Sequence, residues 1–336
     1  MYHETFKGNH YEIGFRWGSL LAKHRNFILD HIPFPITEER VHYAKECLPI
    51  YQKYFPQIIE EIRGISDGQN CLPEELQAVL FSMYAIPPAC CCSCFAVSNG
   101  RQILLGRNSD FLTALEQNNR NVIYRFSSGS YSFTGNTTSF VQMEDGVNEQ
   151  GLAVGLTSIY PLSTQPGMNA GLLLRFFLEK CSKTEEVIRW IKKLPIGSAQ
   201  TFTVADSQGD IAVLECCAGS LQVIRPTKEQ PYVCATNLFH SASLALKNQP
   251  GIDNWEAEPR YQTLLRVLSC KAVFMELKDA KALLSGKDGF LCQYDRKTGK
   301  DTVWSVLYDL KQHHIYKAEG NPDRCQFKKD PRFPFC

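Results

Sequence analysis

Residues 90–111 read CCCSCFAVSNGRQILLGRNSDF, and this stretch is the most informative in the chain. Asn99-Gly100 stands between two apolar runs, which is the strongest short-range signal for a β-hairpin with a two-residue type I′ turn. Such a turn fixes the register of the two strands. With Asn99 and Gly100 at the centre of the turn, Cys92 faces Arg107. The sequence therefore predicts a thiol and a guanidinium side by side on one face of a hairpin.

This pairing points to a reactive cysteine. A guanidinium beside a thiol favours the thiolate, which is the nucleophilic form of cysteine. Asp110 is expected to hold Arg107 or to accept a hydrogen bond from the backbone nitrogen of Cys92. The alternative is that Arg107 and Asp110 form a purely structural ion pair. Two further interpretations are an inert strand end and a metal site, but adjacent cysteines on a strand alternate in direction and cannot all reach one ion.

The composition is that of an ordinary globular protein. The 336 residues include 44% hydrophobic and 21% charged residues, and the formal net charge is +1, so nucleic acid is not an expected partner. No apolar run approaches the roughly 20 residues needed to cross a bilayer, and the opening MYHETFKGNHYEIGF does not resemble a signal peptide. We therefore expect a cytoplasmic protein whose 14 cysteines are mostly reduced, without a disulfide between Cys325 and Cys336.

The pattern of apolar residues divides the chain at residues 87–92. Before this boundary the sequence reads as helical, and Pro87-Pro88 ends the last helix. After it, β-branched runs bounded by Gly, Asn or Asp predict strands. Helices are predicted at 10–29, 58–65, 74–84, 170–194 and 259–268, and strands at 93–98, 103–105, 122–126, 152–157, 201–204, 211–216, 221–224, 232–236 and 302–307. Antiparallel-looking strands with inserted helices favour an α+β layered fold. No dinucleotide or P-loop motif is present, and no cofactor is expected.

Several short motifs occur in an order that is typical of one family. GRNSDF (106–111) follows the cysteines, DGVNEQGL (145–152) comes next, Thr236-Asn237 ends a strand, and Arg260 opens a late helix. Together with the opening GNHYEIGFRWG (8–18) and the closing TVWSVLYDL (302–310), these motifs resemble the acyl-coenzyme A:6-aminopenicillanate acyltransferase family. That family is related to choloylglycine hydrolase, penicillin V acylase and acid-ceramidase-like amidases. The resemblance spans nearly the whole chain.

The resemblance implies a four-layer αββα sandwich of two mainly antiparallel sheets, the fold of N-terminal-nucleophile (Ntn) hydrolases, and an inactive precursor. The precursor cuts the peptide bond before its nucleophile by an N-to-S acyl shift followed by hydrolysis. Here that bond is Cys91–Cys92, between a helical pro-segment (1–91), expected to stay bound, and a catalytic domain (92–336). Cys90 and Cys91 depart from the family's usual small residue before the nucleophile. Only Cys92 lies eighteen residues before Asp110, as the family pattern requires.

The resemblance also assigns roles to residues of the catalytic domain. After cleavage the α-amine of Cys92 is the expected general base, because a free α-amine has a pKa near 7.7–8.0, and no histidine is then required. Arg107, Asp110 and Arg260 are expected in the catalytic site, although Arg260 is equally well explained as a cap of its helix. Asn237 is expected to stabilise the oxyanion through its side-chain amide, the alternative being a strand-ending turn residue.

A second oxyanion donor or substrate contact is expected on the strand after DGVNEQGL. Thr157 and Ser158 are the two candidates, because the motif alignment is ambiguous by one residue there. Asn148 is either a site residue or a turn former, since D-G-x-N is also a turn sequence.

The leading functional prediction is a cysteine Ntn amidase that cuts linear carbon–nitrogen bonds other than peptide bonds, with acyl transfer to an amine as a further activity. Its expected partner is a small N-acyl amide or an acyl thioester, and the oligomeric state is left open. An apolar acyl group would suit nearby aromatic residues. These are Phe95, Phe111, Tyr160 and Phe239. The alternatives are a thiol protease or thioesterase with a Cys92–His240 pair and no self-cleavage, and a degenerate non-catalytic scaffold.

Overall fold

A computed structural model describes residues 1–86 and 91–336. The predicted helix stop at Pro87-Pro88, and Cys90, lie outside the described residues. The α-helices are α1 His10–Lys23, α2 Glu38–Tyr54, α3 Pro56–Gln69, α4 Pro73–Ser82, α5 Ala170–Lys180, α6 Thr184–Ile191, α7 Ala257–Lys271 and α8 Leu277–Leu284. The strands are β1 Tyr2–Gly8, β2 Cys91–Ser98, β3 Ile103–Leu112, β4 Arg120–Phe126, β5 Phe133–Thr137, β6 Asp145–Asn148, β7 Ala153–Ile159, β8 Ala199–Ala205, β9 Ile211–Cys217, β10 Ser220–Ile224, β11 Tyr232–Ala235, β12 Lys300–Asp309, β13 His314–Ala318 and β14 Lys328–Asp330.

The strands form two sheets, which we call the large and the small sheet. The large sheet has the order β1-β4-β5-β6-β7-β8-β9-β10, and the small sheet has the order β11-β2-β3-β12-β13-β14. All neighbouring pairs are antiparallel except β1 and β4, which run parallel. The expected α+β class with two mainly antiparallel sheets is confirmed.

Three apolar clusters show how the layers are stacked. One cluster joins α1–α6 to the large sheet, as Trp17 and Phe202 illustrate. A second lies between the sheets and includes Leu105 and Val213, and a third joins the small sheet to α7 and α8. The order is helices, large sheet, small sheet, helices, which is the αββα sandwich that the resemblance implied.

The N-terminal segment contains a strand that the sequence analysis missed, because it treated the first ninety residues as helical. Residues Tyr2–Gly8 form β1 at the edge of the large sheet, and the backbone of β1 pairs with β4 over its whole length. No local turn signal marks such a strand, since its partner lies more than a hundred residues further along the chain. The segment therefore contributes an edge strand to the large sheet in addition to its helices.

Helices α1 and α3 approach each other through glycines. A Cβ atom placed on Gly14 would lie 2.1 Å from the carbonyl oxygen of Glu61, and one placed on Gly64 would lie 2.2 Å from the carbonyl oxygen of Tyr11. Both neighbours are backbone atoms, which cannot rotate away as a flexible side chain can. Only glycine permits this separation of the two helices.

Replacing Gly64 with alanine is expected to lower the free energy of unfolding by about 1–3 kcal/mol, because the helices must separate. Alanine favours an isolated helix by about 1 kcal/mol, so a loss of stability would show that the close approach outweighs helix propensity. Urea unfolding followed by circular dichroism measures the change. Arg16→Ala on the exposed face of α1 is the control, and equal effects of the two substitutions would contradict the packing explanation.

The hairpin of β2 and β3 forms where it was predicted, but its register was wrong by two residues. Cys94 faces Arg107 and Cys92 faces Ser109. Gly100 and Arg101 are the central residues of the turn, and only Gly100 has a positive φ (82°), which is the pattern of a type II′ turn. The side chain of Asn99 explains the shift: its oxygen accepts from the backbone nitrogens of Arg101 and Gln102. Its Nδ2 donates to two carbonyls beyond α7.

Three further features of the described ranges bear on the sequence predictions. Helices there are too short or too polar to span a membrane. No group of three or more His, Cys, Asp or Glu side chains in 1–86 and 91–336 is arranged to hold a metal ion. Cys325 and Cys336 are both free thiols.

Candidate active site

Cys92 lies at the second residue of β2 and is fully buried. Although Cys94 occupies the position opposite Arg107, the Nη2 atom of Arg107 donates to the Sγ atom of Cys92 over 2.7 Å. Residues 92 and 107 are diagonal neighbours on one face of the hairpin, and a long side chain bridges that distance. The predicted contact of thiol and guanidinium is therefore present through a different register.

Arg107 is held in place from the large sheet. Its Nη1 lies 3.0 Å from Oδ2 of Asp145, its Nη2 lies 3.4 Å from Oε2 of Glu144, and its Nε donates to the carbonyl oxygen of Leu156 over 2.8 Å. Gly155 leaves room at this point, since a Cβ there would lie 2.6 Å from Sγ of Cys94 and 3.3 Å from Cδ of Arg107. The expected partner Asp110 makes no ion pair with Arg107, because the two alternate along β3 and point to opposite faces.

The backbone of Cys92 is bound by two other predicted residues. Its nitrogen donates to Oδ1 of Asn237 over 2.8 Å, and its carbonyl oxygen accepts from Nη1 of Arg260 over 2.6 Å. Nη2 of Arg260 also donates to Oδ1 of Asn237 over 2.9 Å. The expectation that Asp110 accepts from the Cys92 nitrogen was wrong, because Asn237 occupies that place. Arg260 binds the backbone of the candidate nucleophile and does more than cap α7.

Asp110 lies on the helix side of the small sheet, where it is the acidic partner of Arg260 at 3.5 Å. Its carboxylate accepts from the hydroxyls of Thr302 (2.6 Å) and Tyr294 (3.1 Å). Burial raises the pKa of Asp110, and the charge of Arg260 opposes this shift. Asp110 therefore reaches Cys92 only indirectly, through Arg260.

The candidates for a second oxyanion donor occupy different places. The carbonyl oxygen of Ser158 accepts from Nδ2 of Asn237 over 2.7 Å, so Ser158 adjoins the cluster. The hydroxyl of Thr157 donates to the carbonyl oxygen of Thr236 and lies 2.6 Å from the hydroxyl of Thr201. Thr157 therefore supports the residue that precedes Asn237.

Asn148 lies at the end of β6 and holds local structure. Its Nδ2 donates to the carbonyl oxygens of Leu178 and Cys181 at the end of α5, and its Oδ1 accepts from the backbone nitrogens of Gln150 and Leu152. The structure thus places Asn148 as a turn former, which was one of its two expected roles.

His240 does not pair with Cys92. Its ring stacks on Tyr261 with the centroids 3.3 Å apart, and its Nδ1 lies 3.8 Å from a carboxylate oxygen of Glu258. Its buried Nε2 has no hydrogen-bond partner among the described residues. Burial lowers the pKa of His240, against the opposing charge of Glu258. This geometry gives no support to a Cys92–His240 thiol protease.

Two of the aromatic residues expected near the acyl group belong to the core. Phe95 packs between the small sheet and the helices α7 and α8, and Phe239 lies in a small cluster with Ile159 and Leu244. Phe95 alternates with Cys94 on the strand and points away from the sulfur of Cys92. Phe111 and Tyr160 are half-buried.

Several residues that complete the cluster were not predicted from the sequence. Asp145 accepts from Nε1 of Trp304 and from the hydroxyl of Tyr308, in addition to Arg107. Asp145 opens the DGVNEQGL motif, and its place in that motif was the available signal. Thr302 opens the closing motif TVWSVLYDL, whereas Glu144 and Tyr294 carry no motif that could have identified them.

The chain is similar to one protein family and to several solved structures. The model of the family described as acyl-coenzyme A:6-aminopenicillanic acid acyl-transferase matches residues 97–324. One similar solved structure is a Caenorhabditis elegans N-acylethanolamine-hydrolyzing acid amidase ortholog, with 16% identity and a TM-score of 0.48 over 66% of this chain and 93% of that chain. Another is penicillin V acylase from Agrobacterium tumefaciens, with 14% identity and a TM-score of 0.46 over 73% of this chain and 99% of that chain. A third is a mutant of conjugated bile acid hydrolase from Clostridium perfringens, with 13% identity and a TM-score of 0.48 over 73% of this chain and 98% of that chain. No curated protein was found to match the sequence.

Proposed function

Because the chain belongs to the acyl-coenzyme A:6-aminopenicillanic acid acyl-transferase family, we propose that it is a self-processing cysteine Ntn amidase with Cys92 as its nucleophile. One observation carries this proposal. The sulfur, the backbone nitrogen and the carbonyl oxygen of Cys92 are each bound by a different buried side chain, from Arg107, Asn237 and Arg260. A cysteine that only fills the core needs no such set of polar partners.

The proposed self-processing step is attack by Sγ of Cys92 on the carbonyl carbon of Cys91. The Cys91–Cys92 amide bond breaks as the carbon–sulfur bond forms, and the proton of the thiol passes to the departing amine. Water then hydrolyses the thioester, which frees the carboxyl group of Cys91 and regenerates the thiol. The products are the pro-segment (1–91) and the catalytic chain (92–336), whose new α-amine stays beside Asn237.

The charges around Arg107 indicate how the thiol is activated. Arg107 lies 3.4 Å from a carboxylate oxygen of Glu144 and 3.0 Å from one of Asp145, so two acidic neighbours oppose its positive charge. We therefore assign Arg107 the role of orienting the sulfur. In the cut enzyme the proton is removed during attack on substrate by the α-amine of Cys92, because a free α-amine ordinarily has a pKa near 7.7–8.0, which suits that exchange at neutral pH.

The proposed reaction on substrate repeats the same steps on an external amide. Cys92 attacks the carbonyl carbon of an N-acyl amide, the amine leaves with a proton from the α-ammonium group, and an acyl thioester remains. Water or a second amine then accepts the acyl group. We assign the side-chain amide of Asn237 to the developing oxyanion. No step requires a cofactor, and an acyl thioester is an equally suitable acyl donor.

Mass spectrometry of the purified protein tests the proposal directly. Wild type is expected to give two polypeptides, residues 1–91 and 92–336, with Cys92 at the new N-terminus. His240→Ala is expected to give the same two masses, because His240 faces Glu258 and Tyr261. Hydrolysis of N-acyl amides by a wild-type chain that remains whole would exclude self-processing. N-acylethanolamines, penicillins and conjugated bile acids form the substrate panel.

We propose that the two products stay together. A buried ion network crosses between them: Arg175 of α5 binds Glu61 of α3 over 2.6 Å, and Glu179 of α5 lies 2.8 Å from Nε2 of His10 in α1. Arg175 and Glu179 are themselves joined over 2.7 Å. All of these groups are at least nine-tenths buried, and separating the chains would expose unpaired charges.

Acid is expected to weaken this network. Burial would raise the pKa of Glu179, but Arg175 and His10 hold it at about 2, below its ordinary value of 4.5. The stabilisation is therefore present above pH 4.5 and is lost as the pH falls towards 2, with a magnitude of about 3 kcal/mol. Urea unfolding between pH 6 and pH 3 is expected to show a shallower pH dependence for Glu179→Gln than for wild type. Glu229→Gln, an exposed site, is the control, and parallel curves for all three proteins would contradict the assignment.

A further inference from the structure

Tyr294 lies between α8 and β12 and contacts the site from the helix side. Its hydroxyl lies 3.1 Å from Oδ2 of Asp110 and 3.3 Å from the carbonyl oxygen of Trp255. Its ring packs edge-on against Trp255 and Phe290, with centroids 5.7 and 5.5 Å away. The rings fix where the hydroxyl points, and the hydroxyl joins two groups that both contact Arg260.

Arg260 uses all of its donors. Besides Cys92 and Asn237, its N–H groups bind the side chain of Ser93 and the carbonyl oxygens of Asn254 and Trp255, each at 2.9 Å. A guanidinium has five N–H groups in a rigid fork, so moving one of these acceptors shifts the others. Asp110 is the acidic partner of Arg260 in the described part of the chain.

The two residues immediately before α7 have a strained backbone conformation. Trp255 and Glu256 have φ values of 55° and 58°, a left-handed conformation that is unfavourable for residues other than glycine. Such a conformation persists only where its surroundings hold it. Arg260 binds the carbonyl oxygens of Asn254 and Trp255. Tyr294 contacts the carbonyl oxygen and the indole ring of Trp255.

We propose that Tyr294 is a positioning residue of the active site: its hydroxyl donates to Asp110, with the Trp255 carbonyl oxygen as a longer second contact, and through Asp110 it holds the guanidinium of Arg260 that fixes Cys92 and Asn237. This inference rests on the function proposed above. Tyr294 touches neither Cys92 nor Asn237, so it acts through Asp110 and Arg260.

The hydroxyl of Tyr294 donates its one proton to the carboxylate of Asp110, and this bond affects the pKa of Asp110. Burial raises the pKa of Tyr294, so its hydroxyl remains a donor throughout the working range of pH. A donor to the carboxylate favours its charged form. Removing the hydroxyl therefore raises the pKa of Asp110. The groups packed around Asp110 are Arg260, Tyr294, Thr302, Cys91 and Cys292, and the charge of Arg107 acts on it from the opposite face of the sheet.

Tyr294→Phe tests the inference, because it removes one oxygen atom and keeps the packed ring. We expect kcat for amide hydrolysis to fall about tenfold or more with little change in KM, since the lost bond is to a charged group. Asp110 and the α-amine of Cys92 must both be deprotonated, so each gives a break on the acid side of the pH–rate profile. We expect the break that belongs to Asp110 to move to higher pH, since Asp110 must be ionised to hold Arg260, whereas the break that belongs to the α-amine stays in place and serves as an internal reference. Tyr316→Phe on β13, a half-exposed tyrosine outside this cluster, is the matched control.

A double substitution separates positioning from general packing. Asp110→Asn is neutral at every pH, so adding Tyr294→Phe to it is expected to change the rate little further. A Tyr294→Phe enzyme with the wild-type rate and acid limb overturns the positioning role and leaves the proposed function standing. A Tyr294→Phe enzyme with a lowered rate but an unchanged pKa for Asp110 in the pH–rate profile also overturns the positioning role, because that result indicates an effect on packing alone. A wild-type protein that neither cuts itself nor hydrolyses any amide overturns both proposals.

Discussion

Cys92→Ala is expected to leave the chain whole and to abolish amide hydrolysis. Without the sulfur there is no atom to attack the Cys91 carbonyl carbon, so the 336-residue precursor accumulates and no catalytic α-amine forms. Removing a covalent nucleophile costs on the order of 10⁶ in kcat. The fold is expected to survive, because Arg107 keeps Asp145, Glu144 and the Leu156 carbonyl group as partners. Intact-mass spectrometry and release of amine from the substrate panel measure the two effects.

Cys94→Ala is the matched control for this substitution. Cys94 lies on the same strand and the same face as Cys92 and is equally buried. Burial raises the pKa of Cys94 to about 12, so it stays a thiol and has no proposed chemical role. We expect Cys94→Ala to cut itself and to hydrolyse substrate. Loss of both activities in both variants would indicate disturbed packing, and cleavage by Cys92→Ala would assign the nucleophile elsewhere.

Most of the fold was predictable because hydrophobic patterns are local. Every strand predicted after residue 92 overlaps an observed strand, and each predicted helix overlaps at least one observed helix. The strands that were missed have weak local signals. The sequence of Asp145–Asn148 is typical of a turn, yet it forms the buried strand β6, which pairs with β5 and β7. The edge strand β1 pairs with β4, and the sequence next to β1 contains no signal that predicts this pairing.

The candidate site was predicted as a set of residues but not as a geometry. The motifs identified Cys92, Arg107, Asp110, Asn237 and Arg260, and the structure brings them into one connected cluster. The assumed turn gave the wrong register because the tertiary contacts of the Asn99 side chain are invisible in a dipeptide rule. The face of the strand was nevertheless right, since a shift of two residues preserves the alternation of side chains.

The partners within the cluster could not be predicted for a related reason. Asp110 was paired with Arg107 on the basis of sequence proximity, but residues three apart on a strand point to opposite faces. Arg107 instead binds Asp145 of the large sheet, and Asp110 binds Arg260 of α7. These choices depend on how the layers stack, which no single motif encodes.

Arg107→Lys is expected to prevent self-cleavage and to reduce hydrolysis by at least about 100-fold. A lysine carries a compact charge with three rotatable donors, so it does not reproduce the rigid fork that reaches Cys92, Asp145 and the Leu156 carbonyl group together. The sulfur then loses its fixed orientation, and a small misplacement of a reacting atom costs about 10² in rate. Intact-mass spectrometry over time gives the rate of cleavage.

The control must separate this chemical effect from the cost of disturbing a buried ion pair, which reaches about 3–5 kcal/mol when a partner is lost. Arg175→Lys supplies it, because Arg175 is also fully buried between two carboxylates, Glu61 and Glu179, but makes no contact with Cys92. Both variants are expected to melt at a lower temperature than wild type. Only Arg107→Lys is expected to lose activity per folded molecule, measured after normalising for the folded fraction. If the two variants lose activity in proportion to stability alone, Arg107 supports the fold and does not orient the sulfur.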